Sequence, residues 1–150
     1  MANTYSQIYL HFVFSTKDRR PLIDPDIQER VWAYIGGVAR RHKVTPIQVG
    51  GMEDHAHVLT GSPTTLSPSE IAKYLKGDSS KWIHEEFPHL KDFGWQDGYG
   101  VFSVSKSALA GVVAYIKNQR EHHKKRTFED EYVALLEAQG VGFEEKYLFG

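Results

Sequence analysis

The elements readable in this chain run strand, helix, strand, strand, helix, strand, helix, helix. That order predicts an α/β (α+β) fold: a ferredoxin-like sandwich with a central antiparallel sheet and helices on one face, plus a C-terminal helix that carries a tyrosine. Three observations carry the prediction. Residues 6–16 alternate, with Ile8, Leu10, Phe12 and Phe14 on one side and Tyr9, His11 and Val13 on the other, which is the period of a strand. The two middle strands are separated by a short link at the glycine pair Gly50 and Gly51, too short for a parallel crossover. Helical stretches with clear start signals lie on either side of that pair in the chain.

The elements follow in order. Asp24 and Pro25 mark a helix start, and Ile27, Val31, Tyr34, Ile35 and Val38 recur at helical spacing as far as about His42. Residues 46–49 and 54–60 read as neighbouring strands. Ser67, Pro68 and Glu70 supply a capping serine, a first-turn proline and an acid at the third helical position, so a helix begins there and runs until Phe87 and Pro88 end it. Residues 95–103 lead through a loop into a fourth strand. From about Ser107, Leu109, Val112, Val113 and Ile116 form an apolar stripe, with Ala108, Gly111, Tyr115, Gln119 and His122 on the flanking face. Thr127 with Asp130 starts a last helix that Gly140 terminates. The tail from Val141 receives no assignment.

Composition narrows the function classes. The 150 residues are 41% hydrophobic and 25% charged without low-complexity stretches, so residues 1–150 are read as one domain able to bury a core. Absence of cysteine excludes disulfides and thiolate metal sites and suits a cytoplasmic, intracellular protein. Neither a signal peptide nor a membrane-spanning run is read, and a membrane partner is not expected. A net charge of −1 argues against a general polycation.

The chemistry centres on His55-Ala56-His57, inside GGMEDHAHVLTGS. On a strand the two imidazoles share one face, so two neutral nitrogen ligands converge where a divalent ion can sit. Tyr115 and Gln119 lie four residues apart on a predicted helix and project from one side of it. They add a nucleophile and a third ligand. A phenol is a weak nucleophile near neutrality, its ordinary pKa being about 10, so attack on a phosphodiester needs the developing charge to be stabilised. A metal held by two histidines and an amide oxygen does this and leaves positions open for phosphate.

These residues carry a resemblance. MEDHAHVLTGSPTTLSPSEIAKYLKGDSSKWI, FGWQDGYGVFSVS, YIKNQ and the earlier HFVFSTKDRRPLI are similar, in the same order, to the single-tyrosine HUH transposases of IS200/IS605 insertion sequences. The resemblance covers nearly the whole chain. It implies a ferredoxin-like domain that cleaves and rejoins single-stranded DNA at insertion-sequence ends, through a 5′-phosphotyrosine link and a free 3′-hydroxyl. It assigns His55, His57 and Gln119 to a divalent metal, Mg2+ or Mn2+, and Tyr115 to the nucleophile. It also implies single-stranded DNA with hairpin ends as partner and a homodimer with shared active sites. Ala56 stands where a larger aliphatic residue is usual, and Glu53 where a proline often is; neither removes a functional atom.

Other residues weigh less. Asp54 is read as a turn aspartate outside the metal set. Lys17, Arg19 and Arg20, and the run Arg120, His122, His123, Lys124, Lys125 and Arg126, are candidates for phosphate contact. Trp82, Trp95, Tyr99 and Phe102 are candidates for base stacking, with core packing the simpler reading of each. Two alternatives stand beside the transposase: an HUH nickase or replication initiator, which the chain's size disfavours, and a non-enzymatic single-strand binding module, which has no use for Tyr115 and Gln119.

Overall fold

A computed structural model describes residues 3–149. Four strands, β1 (Tyr9–Ser15), β2 (Thr45–Met52), β3 (His55–Gly61) and β4 (Gly100–Val104), pair antiparallel in the order β2-β3-β1-β4. Helices α1 (Pro25–Arg41) and α2 (Pro68–Glu86) complete the ferredoxin-like frame. Three further helices follow β4: α3 (Leu109–Lys117), α4 (Gln119–His122) and α5 (Phe128–Ala138).

The alternation in β1 sorts its side chains between two cores. Phe12 and Phe14 are fully buried in the larger cluster, with Ile27, Val31 and Ile35 of α1 and Ile71, Leu75 and Ile83 of α2. Val13, on the opposite face, belongs to a smaller cluster with Phe102 of β4 and Phe128, Tyr132 and Leu136 of α5. The sheet is thus covered on both faces, and the second face is the one the functional residues share. Start signals behave unequally: Ser67 and Glu70 form a reciprocal capping box, whereas Asp24 stands at the N-cap of α1 without a side-chain cap bond.

Two expectations change. The glycine pair does not separate the middle strands. β2 continues through Gly50 and Gly51 to Met52, and the turn is Glu53-Asp54. The glycines serve close approach instead: a Cβ on Gly50 would stand 2.9 Å from Ile116 Cγ2, and one on Gly51 would stand 2.1 Å from the His55 carbonyl oxygen. The tyrosine helix is also not continuous. It breaks at Asn118 (φ −96°, ψ 24°), between α3 and α4. Of its apolar stripe only Ile116 is buried, because α3 touches the sheet at β2 through that residue and Gly50.

Candidate active site

His55 and His57 point to the second face from the centre of the sheet, and both are fully buried. β3 is flanked by β2 and β1, so ladder bonds on both sides fix the backbone that aims the two rings. Gln119, at the start of α4, brings its Oε1 to 2.8 Å from His55 Nε2. The break at Asn118 therefore does not undo the predicted spacing, and Gln119 Nε2 still donates to the Tyr115 carbonyl at 3.4 Å. Tyr115 stacks edge-on to His57, ring centroids 5.6 Å apart. All four residues singled out from the sequence are therefore in one place, and within one chain the tyrosine docks beside its own histidines.

A carboxylate at their centre was not anticipated. Glu131, one turn into α5, is fully buried. Its Oε1 lies 3.2 Å from both His55 Nε2 and His57 Nε2 and 3.1 Å from His123 Nε2. Its Oε2 accepts from Gln119 Nε2 at 3.0 Å and from the Tyr115 hydroxyl. Burial alone would raise its pKa, but the hydrogen bonds from His123, His55 and His57 outweigh that and hold it well below the carboxylate range. The sequence does carry a signal: Phe128, Glu131, Tyr132 and Leu136 share one helical face, and an acid on an apolar stripe is either a defect or a ligand.

Around this centre sit residues that fix orientation. Asp54 Oδ1 is 2.8 Å from His55 Nδ1, so the turn aspartate orients the ring from behind, the usual partner of a ligating histidine. For His55 desolvation pushes the pKa down, yet the bonds to Asp54 and Glu131 overcome it and raise it to about 9. His57 is shifted down by burial. His11 contacts it from β1, Nε2 to His57 Nδ1 at 2.8 Å, and burial followed by the His57 charge pushes His11 down to about 3. The Tyr115 phenol is raised by burial and by Glu131, so in this arrangement it is neutral.

The donors suit a divalent cation. One nitrogen each from His55 and His57 and a carboxylate oxygen of Glu131 lie within 4.8 Å of one another, and the Gln119 amide oxygen borders them. Two imidazoles and hard oxygens in a buried nest, one of them a carboxylate, fit such an ion. His123, read from the sequence as a candidate for phosphate contact, belongs to this nest, while Arg120 pairs with Glu53 at 3.0 Å and Arg19 with Glu129 at 3.5 Å. Arg19, Lys124, Lys125 and Arg126 border an open cavity of about 700 Å3 beside the site. Of the aromatic candidates, Trp95 packs in the main core against Phe14 and Phe93, Trp82 stacks on Tyr34, and Tyr99 packs against Phe12. Phe102 alone faces the site.

A histidine pair on a central strand facing a tyrosine helix agrees with what relatives of the chain are. Residues 4–119 match the family described as "Transposase IS200 like". The chain belongs to this family. It is 32% identical over 130 residues to the transposase for insertion sequence element IS200 of Salmonella typhimurium (strain LT2), spanning 83% of this chain and 84% of that protein. Two solved structures share its fold. A crystal structure from Deinococcus radiodurans R1 gives a TM-score of 0.66 at 24% identity over 79% of this chain and 95% of that one. A REP-associated tyrosine transposase bound to a REP hairpin gives 0.59 at 17% over 82% and 73%. This IS200-like transposase is thus a DNA cleavage and transfer enzyme built on the ferredoxin-like frame. No helix among the described residues is long and apolar enough to cross a membrane.

Proposed function

We propose that the enzyme cleaves and rejoins single-stranded DNA with Tyr115 as nucleophile and a divalent ion, Mg2+ or Mn2+, held by His55, His57 and Gln119, with Glu131 as an added anionic ligand. The observation that carries the reading is the convergence of Tyr115, both histidines, Gln119 and Glu131 in one buried nest. Bound there, the ion would polarise a non-bridging phosphate oxygen. The chain's own residues do the rest. Gln119 and Glu131 tie the tyrosine to the histidine strand, Asp54 and His11 lock the two imidazoles, and the Tyr115 proton is held at Glu131 Oε2. As the phenol oxygen attacks phosphorus its proton passes to Glu131 Oε2, a bond to the 5′-phosphate forms, and the bond from phosphorus to the 3′-oxygen breaks. The departing oxygen takes a proton from water to leave a free 3′-hydroxyl, while the proton on Glu131 returns to solvent. Rejoining reverses these steps on a new 3′-hydroxyl.

The DNA partner is proposed to be a single strand with hairpin ends, supported by the hairpin that the REP-associated relative binds. The test is a denaturing gel after incubation with oligonucleotides from the DNA flanking the gene. A metal-dependent covalent adduct that Tyr115→Phe abolishes is expected, and an adduct surviving that change refutes the assignment. Mixing His57→Ala with Tyr115→Phe chains tests a homodimer with shared sites. Recovered cleavage supports exchange of the tyrosine helix; no recovery, with mixed dimers present, assigns docking within each chain.

A further inference from the structure

Three side chains at the turn between β2 and β3 form a closed network that the proposed chemistry does not use. The turn, Glu53-Asp54, is pinned through its backbone: Ile23 N donates to the Glu53 carbonyl at 2.9 Å and Thr16 N to the Asp54 carbonyl at 2.8 Å. Asp54 holds the His55 ring. Glu53 Oε1 accepts from Arg120 Nη2 at 3.0 Å and from Gln28 Nε2 at 3.1 Å. Gln28 closes the ring, its Oε1 accepting from the same Arg120 nitrogen at 3.2 Å while its Nε2 also donates to the Ile23 carbonyl at 2.9 Å. A buried amide on α1 beside Ile27 and Val31 is costly unless its polar atoms are satisfied, and here the turn and Arg120 satisfy them.

The short helix α4 needs such a hold. Its four residues follow the break at Asn118, and a single helical turn does not persist on its own hydrogen bonds. Gln119 reaches His55 and Glu131, and Arg120, the next residue, reaches the turn and α1. Two successive side chains thus tie α4 to β3, α5, α1 and the turn. Between α1 and α3 lies an open groove of about 490 Å3, lined by Gln28, Trp32, Gly50, Ile116 and Arg120 among others. Apolar packing therefore does not set the spacing of those helices there, and the polar network bridges the gap.

We propose that Arg120, through Glu53 and Gln28, is a positioning residue that sets α4, and with it Gln119 and Tyr115, against the histidine strand of its own chain. The proposal rests on the reading of Tyr115 as the nucleophile. One two-residue turn then aligns both halves of the site, Asp54 the imidazole and Glu53 the tyrosine helix. The Arg120 and Glu53 side chains are 56% and 27% exposed, so their pairing adds little to stability. Its effect is on geometry, to which in-line attack is sensitive.

The test measures the rate of covalent adduct formation by the full chain, with Mn2+ in excess, against the concentration of a single-stranded oligonucleotide from the DNA flanking the gene. Arg120→Ala and Glu53→Ala should each lower the saturating rate about fivefold, a fraction of what misplacing a reacting group by an ångström costs, and leave the half-saturating concentration unchanged. The double variant should be no slower than either single one, because the two residues act as a unit. Glu53→Gln, which keeps an acceptor for both donors, should retain most of the rate. In metal-free protein, amide hydrogen exchange across α3 and α4 should quicken in Arg120→Ala and Glu53→Ala and stay as in wild type in Glu53→Gln. Should Arg120→Ala fail to fold by circular dichroism, the Glu53→Ala and Glu53→Gln pair decides by the same two measurements. A half-saturating concentration raised severalfold by Arg120→Ala alone makes Arg120 a phosphate contact and overturns the proposal. Losses that multiply in the double variant, or exchange that the alanine variants leave unchanged, overturn it as well. Failure of the wild-type protein to form a tyrosine adduct overturns the reading of Tyr115 instead, and the exchange measurement then still decides whether Arg120 holds α4.

Discussion

Replacing Glu131 by glutamine keeps the shape of the buried centre and removes its charge. In metal-free protein His55 is raised from an ordinary 6.5 to about 9, against burial, by Asp54 and Glu131. A histidine whose pKa is higher folded than unfolded stabilises the fold fully below pH 6.5, and the contribution disappears as pH rises through 9. A shift of that size is worth on the order of 3 kcal/mol at pH 6, between 2 and 3 at pH 7, and close to nothing above pH 9.5. Asp54 remains 2.8 Å from His55 Nδ1 and retains part of it. Glu131→Gln should therefore lower stability by about 1–3 kcal/mol at pH 6.5, at or below the ~3–5 kcal/mol penalty for breaking a buried ion pair because Asp54 remains, or roughly 2–12 °C in melting temperature for a chain of this size. Urea unfolding in EDTA at pH 6.5, 8 and 9.5, for wild type and variant, supplies the measurement. The difference should shrink as pH rises. A difference that is absent at pH 6.5, or that does not change with pH, refutes the ion pair as the source of the shift.

Three further outcomes follow from the same geometry. Mn2+ should raise the melting temperature, and because binding must displace the proton that His55 holds up to about 9, affinity measured by calorimetry should rise about tenfold per pH unit between 6.5 and 8.5; His57→Ala should abolish the shift. Gly50→Ala, whose Cβ would stand 2.9 Å from Ile116 Cγ2, should cost about 1–3 kcal/mol and slow adduct formation by displacing α3, whereas Gly37→Ala, with nothing within 4 Å, should be neutral or stabilising in the same urea titration. Thr127 accepts from the Asp130 amide at the start of α5 at 3.2 Å, so Thr127→Ala should cost about 1 kcal/mol and weaken Mn2+ binding, since Glu131 follows one residue later.

What was legible in the sequence was whatever a local period dictates. His55 and His57 share a face because strands alternate, and Tyr115 and Gln119 stay on one side even though Asn118 breaks the helix, because the break comes after the tyrosine and costs less than a turn. The capping box at Ser67 was readable for the same reason. The glycine pair was misread because a glycine run signals a turn in a local view, while here it makes room for Ile116, which is 66 residues away in sequence. Glu131, His11 and His123 were missed for a related reason. Each takes its meaning from a partner on another element, with Glu131 and His57 separated by 74 positions and His11 and His57 by 46. Asp54 is the intermediate case: its adjacency to His55 was visible, its 2.8 Å bond to the ring was not.

The placement of Glu131 joins two things a transposase of this family could have kept apart. α5 is held to the sheet by Phe128, Tyr132 and Leu136 against Val13 and Phe102, an apolar contact indifferent to metal. The same helix inserts the carboxylate that satisfies His55, His57 and His123 and accepts the Tyr115 hydroxyl. Ion binding and α5 docking are consequently linked: whatever ion the nest binds favours the docked helix by the same free energy that the docked helix lends to the ion. Tyr115, the proposed nucleophile, is the third member of that cycle, because its hydroxyl is held by the oxygen of Glu131 that does not face the histidines. A cation drawing on the carboxylate weakens its hold on the phenol, and an undocked α5 releases the phenol but deprives the ion of an anionic ligand. Under the proposed roles, chemistry would be favoured only when ion, helix and tyrosine are in place together, which would guard a strand-cutting enzyme against unproductive cleavage.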